Sequence, residues 1–410
     1  MSIGRTYRDG AFEYLDAVSG RVVHRLTNYR GHSNHPYFTD PCWLDKGKAF
    51  VFISDRDGHS NLYRYDFPDA YKSGGIITQL TDLSGANYEN ERVFDHRPQG
   101  AYSAANKRYY YWWQNILYEL NLDTLDSRIV FQADPKKILG IHANTSADGR
   151  YICNAMRDRI ESDEAELEYP YFKFPELHPG QPRTQIIRVE VATGKMDVIH
   201  EDDRFITHVN HSPTLPDILT FCHEGPWNLV KQRIWGLNIA NGSVWKIRSQ
   251  EDDGIAIGHE YWFTDGLHVG YHGMPRDRSK GENLHVYGYA TWDNATHFET
   301  QFPFHSTHFA GNDADLIVGD GTPALPTGAH WSVTSQPYIQ LFRKEQNTYN
   351  GPKLLAVHRC TFNHQHSHCH PRFSPDRSHV LFVSDATGYA NIYTVPVGDF
   401  DALPSINTER

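Results

Sequence analysis

The chain repeats one pattern seven times, and this repetition constrains its fold more than any other feature. Each copy has a turn, an apolar strand, a short loop and a second strand that alternates apolar and polar residues. The clearest copies are 373-FSPDRSHVLFVSDATGYANIYTVPV-397 and 43-WLDKGKAFVFISDRDGHSNLYRYDF-67. Weaker copies begin near residues 102, 146, 213, 263 and 312. Repeats of this kind indicate a series of similar supersecondary units.

The repeat predicts an all-β fold, a single seven-bladed β-propeller domain formed by residues 1–410. Each copy resembles one four-stranded blade, entered through a tight turn at Asp-Gly or Asp-Lys. The last copy lacks an outer strand, and 20-GRVVHRLT-27 resembles one. We therefore expect an N-terminal strand at about 20–27 to complete the last blade and to remove two open edges. The insertion at about 161–183, charged and then Pro-rich, is interpreted as an excursion within the third blade.

Charge and composition argue against several function classes. The formal net charge is −11 and no Lys/Arg cluster is present, so nucleic acid is not an expected partner. The first twenty residues contain no apolar signal region, and no later run is long enough to span a membrane. Five cysteines at irregular spacings favour reduced thiols and a cytoplasmic location. The sequence does not indicate an oligomeric state.

Histidines recur where the predicted blades begin. When the copies are aligned on the Asp of the turn, four of them have a histidine six residues ahead: His142, His211, His259 and His370. His308 holds the equivalent place if the turn in its copy runs from Asn312 to Asp315. The loops that lead into the innermost strands of a propeller line one mouth of its channel. Any single histidine at this position has about even odds of being only a tolerated polar residue. Five at one structural position predict a site. Neutral imidazoles bind Mn, Fe, Zn or Ni, and an unligated one can act as a general base.

The segment 361-TFNHQHSHCHPRFSPD-376 contains four histidines within seven residues. Strict strand alternation would place all four on one face and Gln365, Ser367 and Cys369 on the other. Only a pair such as His368 and His370 is expected to reach one ion. This pair, together with His308, makes a metal site the leading hypothesis for the segment.

Four motifs occur in one order along the chain. They are 222-CHEGP-226 followed by Arg233, 259-HEYWFTDG-266, His308 to Asn312 ahead of 316-LIVGDG-321, and the run from Gln365 to Asp376. With these motifs the sequence resembles the oligogalacturonate lyases, seven-bladed propeller polysaccharide lyases that act on short pectin fragments. The resemblance implies cleavage of a small anionic oligosaccharide by β-elimination.

The resemblance also assigns roles to residues. It implies a divalent metal, most plausibly Mn²⁺, held by His308, Gln365, His368 and His370. It implies that His259 is the Brønsted base and that Arg233 neutralises the charge of the substrate. Because the ligands at 365 and 368 differ in parity, we expect a turn or bulge between them. His364 and His366 are then bystanders or lie behind the ligands.

Further residues are candidates for contact with the sugar: His211, His223, Tyr261 and His35. An ion pair or a capping role is at least as plausible for His223. The general acid stays open between His211, Tyr261, a water molecule and the base itself. Two departures from the family pattern bear on the site. Cys369 stands where the family usually has Pro, and His211 stands where it usually has Tyr.

Two other functions compete with this hypothesis. One is a lyase of the same family that acts on a different uronate-containing oligosaccharide. The other is a non-enzymatic propeller of the TolB-like kind, which would bind a partner and need no metal. A propeller-bearing peptidase is not expected, because no G-x-S-x-G motif occurs in the chain.

Overall fold

The computed structural model describes residues 2–83, 97–158, 183–225, 229–250, 254–277, 285–302, 306–322, 337–363 and 365–405. The predicted insertion lies outside the described residues except for its last position, and so does His364. The contacts divide the chain into two compact units, Met1–Phe38 with Cys42–Ser84 and Thr300–Arg410, and Thr39–Pro41 with Gly85–Glu299. In the part of the chain that is described, no helix has the length and apolarity needed to cross a membrane.

Strands dominate the described residues, which also contain three short 3-10 helices, at Asp45–Gly47, Arg56–Gly58 and Gln365–Ser367. The chain begins with three strands that join sheets formed by later residues: β1 (Thr6–Tyr7), β2 (Phe12–Leu15) and β3 (Val22–Arg25). The first sheet continues with β4 (Ser33–Asn34), β5 (Trp43–Leu44), β6 (Ala49–Ser54), β7 (Asn61–Asp66) and β8 (Ile76–Gln79). Strand β1 pairs with β8 at the outer edge of this sheet.

Five antiparallel sheets of four strands follow. The second sheet contains β9 (Gln99–Ser103), β10 (Arg108–Trp113), β11 (Ile116–Asn121) and β12 (Ser127–Gln132). The third contains β13 (Lys137–Leu139), β14 (Tyr151–Asp158), β15 (Thr184–Glu190) and β16 (Met196–Asp202). The fourth contains β17 (Ile206–His211), β18 (Ile218–His223), β19 (Ile234–Asn238) and β20 (Val244–Lys246).

The fifth sheet contains β21 (Ile255–Trp262), β22 (His268–Pro275), β23 (His285–Thr291) and β24 (His297–Phe302). The sixth contains β25 (Phe309–Ala310), β26 (Leu316–Gly319), β27 (Tyr338–Glu345) and β28 (Thr348–Val357). Each of these sheets has its strands in sequence order, which is the topology of a propeller blade. The prediction of an all-β, seven-bladed β-propeller is confirmed.

The seventh sheet combines two strands from the N-terminal part of the chain with three from its C-terminal part. Its own strands are β29 (Arg372–Phe373), β30 (His379–Ser384) and β31 (Asn391–Pro396). Strand β3 pairs antiparallel with β31, with His24 opposite Thr394 and Arg25 opposite Tyr393. This confirms that a strand within 20–27 completes the last blade. Strand β2 then adds a fifth strand beyond β3, which the sequence did not predict.

The second strand of a blade is the most deeply buried. All six residues of β6 are buried, as are five of the six in β18 and in β30. These are the continuous apolar runs of the repeat, and such runs suit a strand that is covered on both faces. The closing segment joins this core, because Leu26 is 1% exposed and packs in one cluster with Phe50, Phe52 and Ile392. Its N–H donates to the carbonyl of Ile392 at 2.8 Å.

The closing segment allows a direct test with two leucines. We expect Leu26→Ala to lower the free energy of unfolding by about 2–5 kcal/mol, because it leaves a cavity in the core. Leu15→Ala, in a side chain that is 70% exposed, should change it by no more than about 0.5 kcal/mol. Urea denaturation of both variants measures the difference. Equal effects would show that closure does not stabilise the last blade.

Candidate functional site

The same pairing between the segment ahead of the turn and the second strand recurs at the start of several blades. In four blades a backbone N–H ahead of the turn donates, at 2.8–2.9 Å, to the first residue of the second strand: Ser146 to Tyr151, Ser212 to Ile218, Phe263 to His268 and Ser374 to His379. The residue four positions before each of these donors is a histidine: His142, His208, His259 and His370. The pairing of Ala310 with Val318 gives His308 the same place in the sixth blade. Five blades therefore present an imidazole at one structural position.

The structure corrects one member of the predicted set, because His208 and not His211 occupies this position. Asp148, Asp265 and Asp376 lie two residues after the donor of the anchoring bond, whereas Asp217 lies five residues after it. Counting six residues back from Asp217 therefore reaches His211, which is the last residue of β17.

His211 lies within the sheet. It is 5% exposed, and within the described residues neither of its ring nitrogens has a hydrogen-bond partner. Burial lowers the pKa of His211 to about 3, so its ring is neutral. The geometry supports a packing role for His211 more directly than contact with a sugar, which stays a prediction.

Three of the five histidines have a left-handed backbone. The φ angles are +49° at His208, +50° at His259 and +41° at His370. His208 and His259 each lie in an interruption of strand pairing, between Thr207 and Asn210 in β17 and between Gly258 and Tyr261 in β21. Such a conformation costs a non-glycine residue about 1–3 kcal/mol and is concentrated at functional sites. The bulges direct these side chains out of the regular strand alternation.

His308, His368 and His370 form the first cluster of candidate ligands. One ring nitrogen from each lies within 4.8 Å of the others. His308 and His370 are buried, and their ring centroids are 4.3 Å apart. Gln365 begins the 3-10 helix Gln365–Ser367, so the predicted break between 365 and 368 is confirmed. Within the described residues, Oε1 of Gln365 and Nε2 of His370 are buried and have no hydrogen-bond partner.

Asp320 orients the imidazole of His308. It follows β26, is fully buried, and its Oδ2 lies 2.6 Å from Nδ1 of His308. Its Oδ1 accepts the backbone N–H of His308 at 2.8 Å. An ionised carboxylate only accepts, so Nδ1 carries the proton and Nε2 keeps a lone pair for a metal. The carboxylate–histidine pair was not predicted, although Asp320 lies within the motif LIVGDG.

This cluster fits a divalent metal ion. Burial, together with the nearby rings of His308 and His368, lowers the pKa of His370 well below its usual value. The ring is therefore neutral, as a metal ligand must be. Three imidazoles and an amide oxygen form a donor set that suits first-row divalent ions. Tyr37 lies edge-on to His370, with ring centroids 5.0 Å apart, and covers it with an aromatic ring.

The second cluster is centred on Arg233. Its guanidinium is 2% exposed and donates from Nε to Glu260 at 2.9 Å and from its terminal nitrogens to Glu224 at 2.9 and 3.2 Å. Nδ1 of His208 lies 3.3 Å from Oε1 of Glu260. Three of the five N–H groups of Arg233 thus bind carboxylates of the protein itself.

Arg233, Glu224 and Glu260 together carry a negative charge, whereas an isolated arginine is positive. Burial raises the pKa of both Glu224 and Glu260, but the positive charge of Arg233 and the hydrogen bonds that the two carboxyls accept more than offset it and hold both pKa values below their usual range. Both carboxyls are therefore ionised at neutral pH. These two carboxylates and one guanidinium together carry a net negative charge.

His259 is paired with a second imidazole. Its Nδ1 lies 3.1 Å from Nε2 of His272, and the rings are stacked at an interplanar angle of 19°. When Nδ1 of His259 donates to His272, Nε2 of His259 keeps a lone pair. His272 lies in β22 and is 2% exposed. This partner could not be predicted from the sequence, because its place opposite the bulge depends on the pairing of β21 with β22.

Three other predicted residues have protein partners. Nε2 of His223 lies 3.0 Å from a carboxylate oxygen of Asp202, the ion-pair role considered for it. The hydroxyl of Tyr261 lies 2.7 Å from that of Tyr287 and is buried. Nδ1 of His35 donates to the carbonyl of Pro36 at 2.7 Å, and burial lowers the pKa of His35 to about 3. These contacts are all with protein groups, so they do not support sugar binding by His223, Tyr261 or His35, which stays a prediction.

Comparison with known proteins identifies the family. The sequence profile described as "Oligogalacturonate lyase" matches residues 1–400. The chain belongs to the oligogalacturonate lyase family. It is 26% identical over 405 residues to the oligogalacturonide lyase of Pectobacterium atrosepticum, covering 94% of this chain and 96% of that one. It is 25% identical over 414 residues to the oligogalacturonate lyase of Dickeya dadantii, covering 97% and 99%. The chain is therefore an enzyme of the lyase class.

Solved structures agree with the fold. An oligogalacturonate lyase in complex with manganese superposes with a TM-score of 0.80 at 24% identity, over 98% of this chain and 99% of that one. An oligogalacturonate lyase from Vibrio parahaemolyticus superposes with a TM-score of 0.81 at 25% identity, over 97% and 99%. The resemblance read from the motifs is confirmed, and membership of a lyase family argues against the TolB-like alternative.

The contact between Asp320 and His308 predicts an effect on metal affinity. In Asp320→Asn the amide can donate to Nδ1, which moves the ring proton to Nε2 and removes the lone pair that a metal needs. We expect divalent-metal affinity to fall about 10–100-fold, measured by isothermal titration with Mn²⁺. Asp315→Asn, at an exposed position before β26, is the matched control. An unchanged affinity in Asp320→Asn would remove the orienting role.

The Arg233 cluster predicts a pH-dependent contribution to stability. The folded pKa of Glu260 is depressed, so its stabilisation is complete above the unfolded value of about 4.3 and is lost as the pH falls. We expect Glu260→Gln to lower the free energy of unfolding at neutral pH by about 2 kcal/mol. The difference from wild type should shrink below about pH 4. Urea denaturation across this range measures it, with the exposed Glu345→Gln as control. A difference that grows on acidification would contradict the assignment.

Proposed function

We propose that this lyase cleaves short oligogalacturonides, such as digalacturonate, by metal-dependent β-elimination. The observation that carries the proposal is the cluster of His308, His368 and His370, with Oε1 of Gln365 buried and without a hydrogen-bond partner in the described residues. The family supplies the substrate class, and a structural neighbour is a manganese complex. We propose Mn²⁺ as the ion and these four side chains as its ligands.

The reaction removes the proton on C5 of a 4-linked uronate and expels the oxygen on C4. With the neighbouring carboxylate ionised, this proton is too weakly acidic for an imidazole to remove. A divalent ion bound by the histidine cluster supplies positive charge that offsets the carboxylate and makes the C5 proton more acidic. The chain's part at that centre is to hold the ligands in place: burial keeps His370 neutral, and the carboxylate of Asp320 orients the ring of His308.

His259 is the proposed base. With Nδ1–H donated to His272, Nε2 of His259 can take the C5 proton. The imidazolium that results keeps its Nδ1–H bond to His272, so the new charge is shared with a hydrogen-bonded partner. The left-handed backbone at His259 fixes the ring outside the strand alternation, which suits a group that must meet a substrate atom.

Arg233 is the proposed charge-neutralising residue, with a condition that the structure adds. Three of its N–H groups bind Glu224 and Glu260, which leaves one N–H on each terminal nitrogen for a substrate carboxylate. Because the two carboxylates already offset its charge, we infer that Arg233 mainly orients the substrate. Most of the neutralisation would then fall to an ion held by His308, Gln365, His368 and His370.

A cytoplasmic location stays part of the proposal, in keeping with five buried cysteines that form no disulfide.

The runner-up is a lyase of the same family that acts on a different uronate. It needs the same base and metal and differs only in the sugar contacts. Two candidates for those contacts are His142 and His208, which hold the same position in their blades as His259 does in its own. The ring centroids of His142 and His208 are 5.4 Å apart. A substrate panel separates the two possibilities.

The decisive experiment follows the conjugated double bond of the product by ultraviolet absorbance. Purified protein is mixed with digalacturonate after EDTA treatment, with and without added Mn²⁺. We expect turnover only with metal, and a loss of at least about 100-fold in His259→Ala, the contribution typical of a general base. Metal content should be unchanged in that variant. His297→Ala, at an exposed position, is the matched control and should keep wild-type rates.

Each part of the proposal can fail separately. No absorbance rise with digalacturonate under any metal, but a rise with another uronate, would favour the runner-up. A rise that EDTA does not affect would remove the metal from the reaction. Near-normal rates in His259→Ala would assign the base to another residue.

A further inference from the structure

A third group of side chains lies beside the histidine cluster but shares no residue with it. His358 follows β28, Cys360 lies two residues later, and Cys369 stands between His368 and His370. All three residues form hydrogen bonds with Val383 or Ser384, at the end of β30. Val383 donates its N–H to the carbonyl of Cys369 at 2.9 Å, and its own carbonyl lies 2.9 Å from Sγ of Cys360. The hydroxyl of Ser384 donates to the carbonyl of His358.

The geometry of this group suits a small tetrahedral ion. One ring nitrogen of His358 and the two sulfurs lie within 4.8 Å of one another. Zinc–sulfur bonds of about 2.3 Å at a tetrahedral angle place two sulfurs about 3.8 Å apart. The side chains therefore need to move together by no more than about 1 Å to reach that spacing.

Burial distinguishes this group from ordinary surface thiols. Cys360 and Cys369 are fully buried and His358 is 1% exposed. Nδ1 of His358 accepts the N–H of Cys360 at 2.9 Å, so the neutral ring carries its proton on Nε2, which is buried without a hydrogen-bond partner in the described residues. The lone pair that could bind an ion is therefore on Nδ1, and an ion there would take the place of the Cys360 N–H.

We propose that His358, Cys360 and Cys369 form a second metal site, specific for a thiophilic divalent ion and in the first place Zn²⁺. Soft thiolate ligands select zinc over manganese, whereas imidazole and amide ligands do not exclude manganese. One loop thus presents His368 and His370 to one ion and Cys369 to another. This explains why a cysteine, and not the proline usual in the family, separates the two histidines.

The binding step balances in charge. Each thiol releases its proton, so that one Zn²⁺, two thiols and one neutral imidazole give a bound ion with no net charge and two protons. A neutral centre is the form that a buried, apolar environment tolerates best. The fourth tetrahedral position is left for a water molecule or a backbone carbonyl. This site needs no substrate and holds whether or not the proposed reaction is correct.

Cobalt distinguishes the two centres by spectroscopy. Protein produced with Co²⁺ in place of zinc should show the near-ultraviolet sulfur-to-cobalt charge-transfer band, because the proposed site contains two sulfurs and the cluster of His308, His368 and His370 contains none. We expect the band to disappear in Cys360→Ser. It should persist in Cys153→Ser, a matched control at another buried thiol, and in His308→Ala, which removes a ligand of the other centre only.

Metal analysis of the full chain, purified without chelator from zinc-supplemented cells, gives an independent readout. We expect one bound zinc that is lost in Cys360→Ser and kept in His308→Ala. Three results would overturn the proposal: no sulfur band in the wild type, zinc that follows His308 and not Cys360, or an intact mass that shows a Cys360–Cys369 disulfide. The wild-type spectrum decides the question even if Cys360→Ser fails to fold.

Discussion

A backbone hydrogen bond from the residue ahead of the turn to the start of the second strand, present in four blades, is the constraint on which the site depends. It recurs from Ser146 to Tyr151 and from Phe263 to His268, and it fixes the residue four positions earlier. Because these four blades and the sixth share one pairing register, a histidine side chain is presented repeatedly from unrelated stretches of sequence. The fold thereby supplies a set of imidazoles that differ in their neighbours and not in their placement. Asp320 orients the ring of His308, the proposed metal ligand, and His272 is paired with His259, the proposed base.

The repeat, the closing strand and the break at Gln365 could all be predicted from the sequence, because each follows from a local pattern. Alternating and continuous apolar runs identify strands without knowledge of their neighbours. The closing strand within 20–27 followed from counting strands per blade. The break at Gln365 followed from a conflict of parity within one motif, and it appears as a 3-10 helix.

What the sequence did not reveal depends on contacts between distant residues. His208 was missed because Asp217 lies three residues further along its turn than Asp148, Asp265 and Asp376 do in theirs, and a motif count cannot detect that shift. Arg233 was recognised, but its two carboxylates lie 9 and 27 residues away along the chain. Only pairing of β18 with β19, and the bulge in β21, brings them together. The proximity of Cys360 to Cys369 likewise depends on Val383, in a different strand.

Closure of the last blade has a consequence for how the chain folds during synthesis. The hydroxyl of Thr27 donates to Oδ1 of Asn391 at 3.1 Å across a separation of 364 residues. Translation at about 5–20 residues per second therefore separates the two partners by roughly 20–70 s. For that period β3 has only β2 to pair with, and the edge that later meets β31 is open to other chains. The blade that follows His368 and His370 is thus the last to be completed, so the proposed metal centre can form only at the end of synthesis.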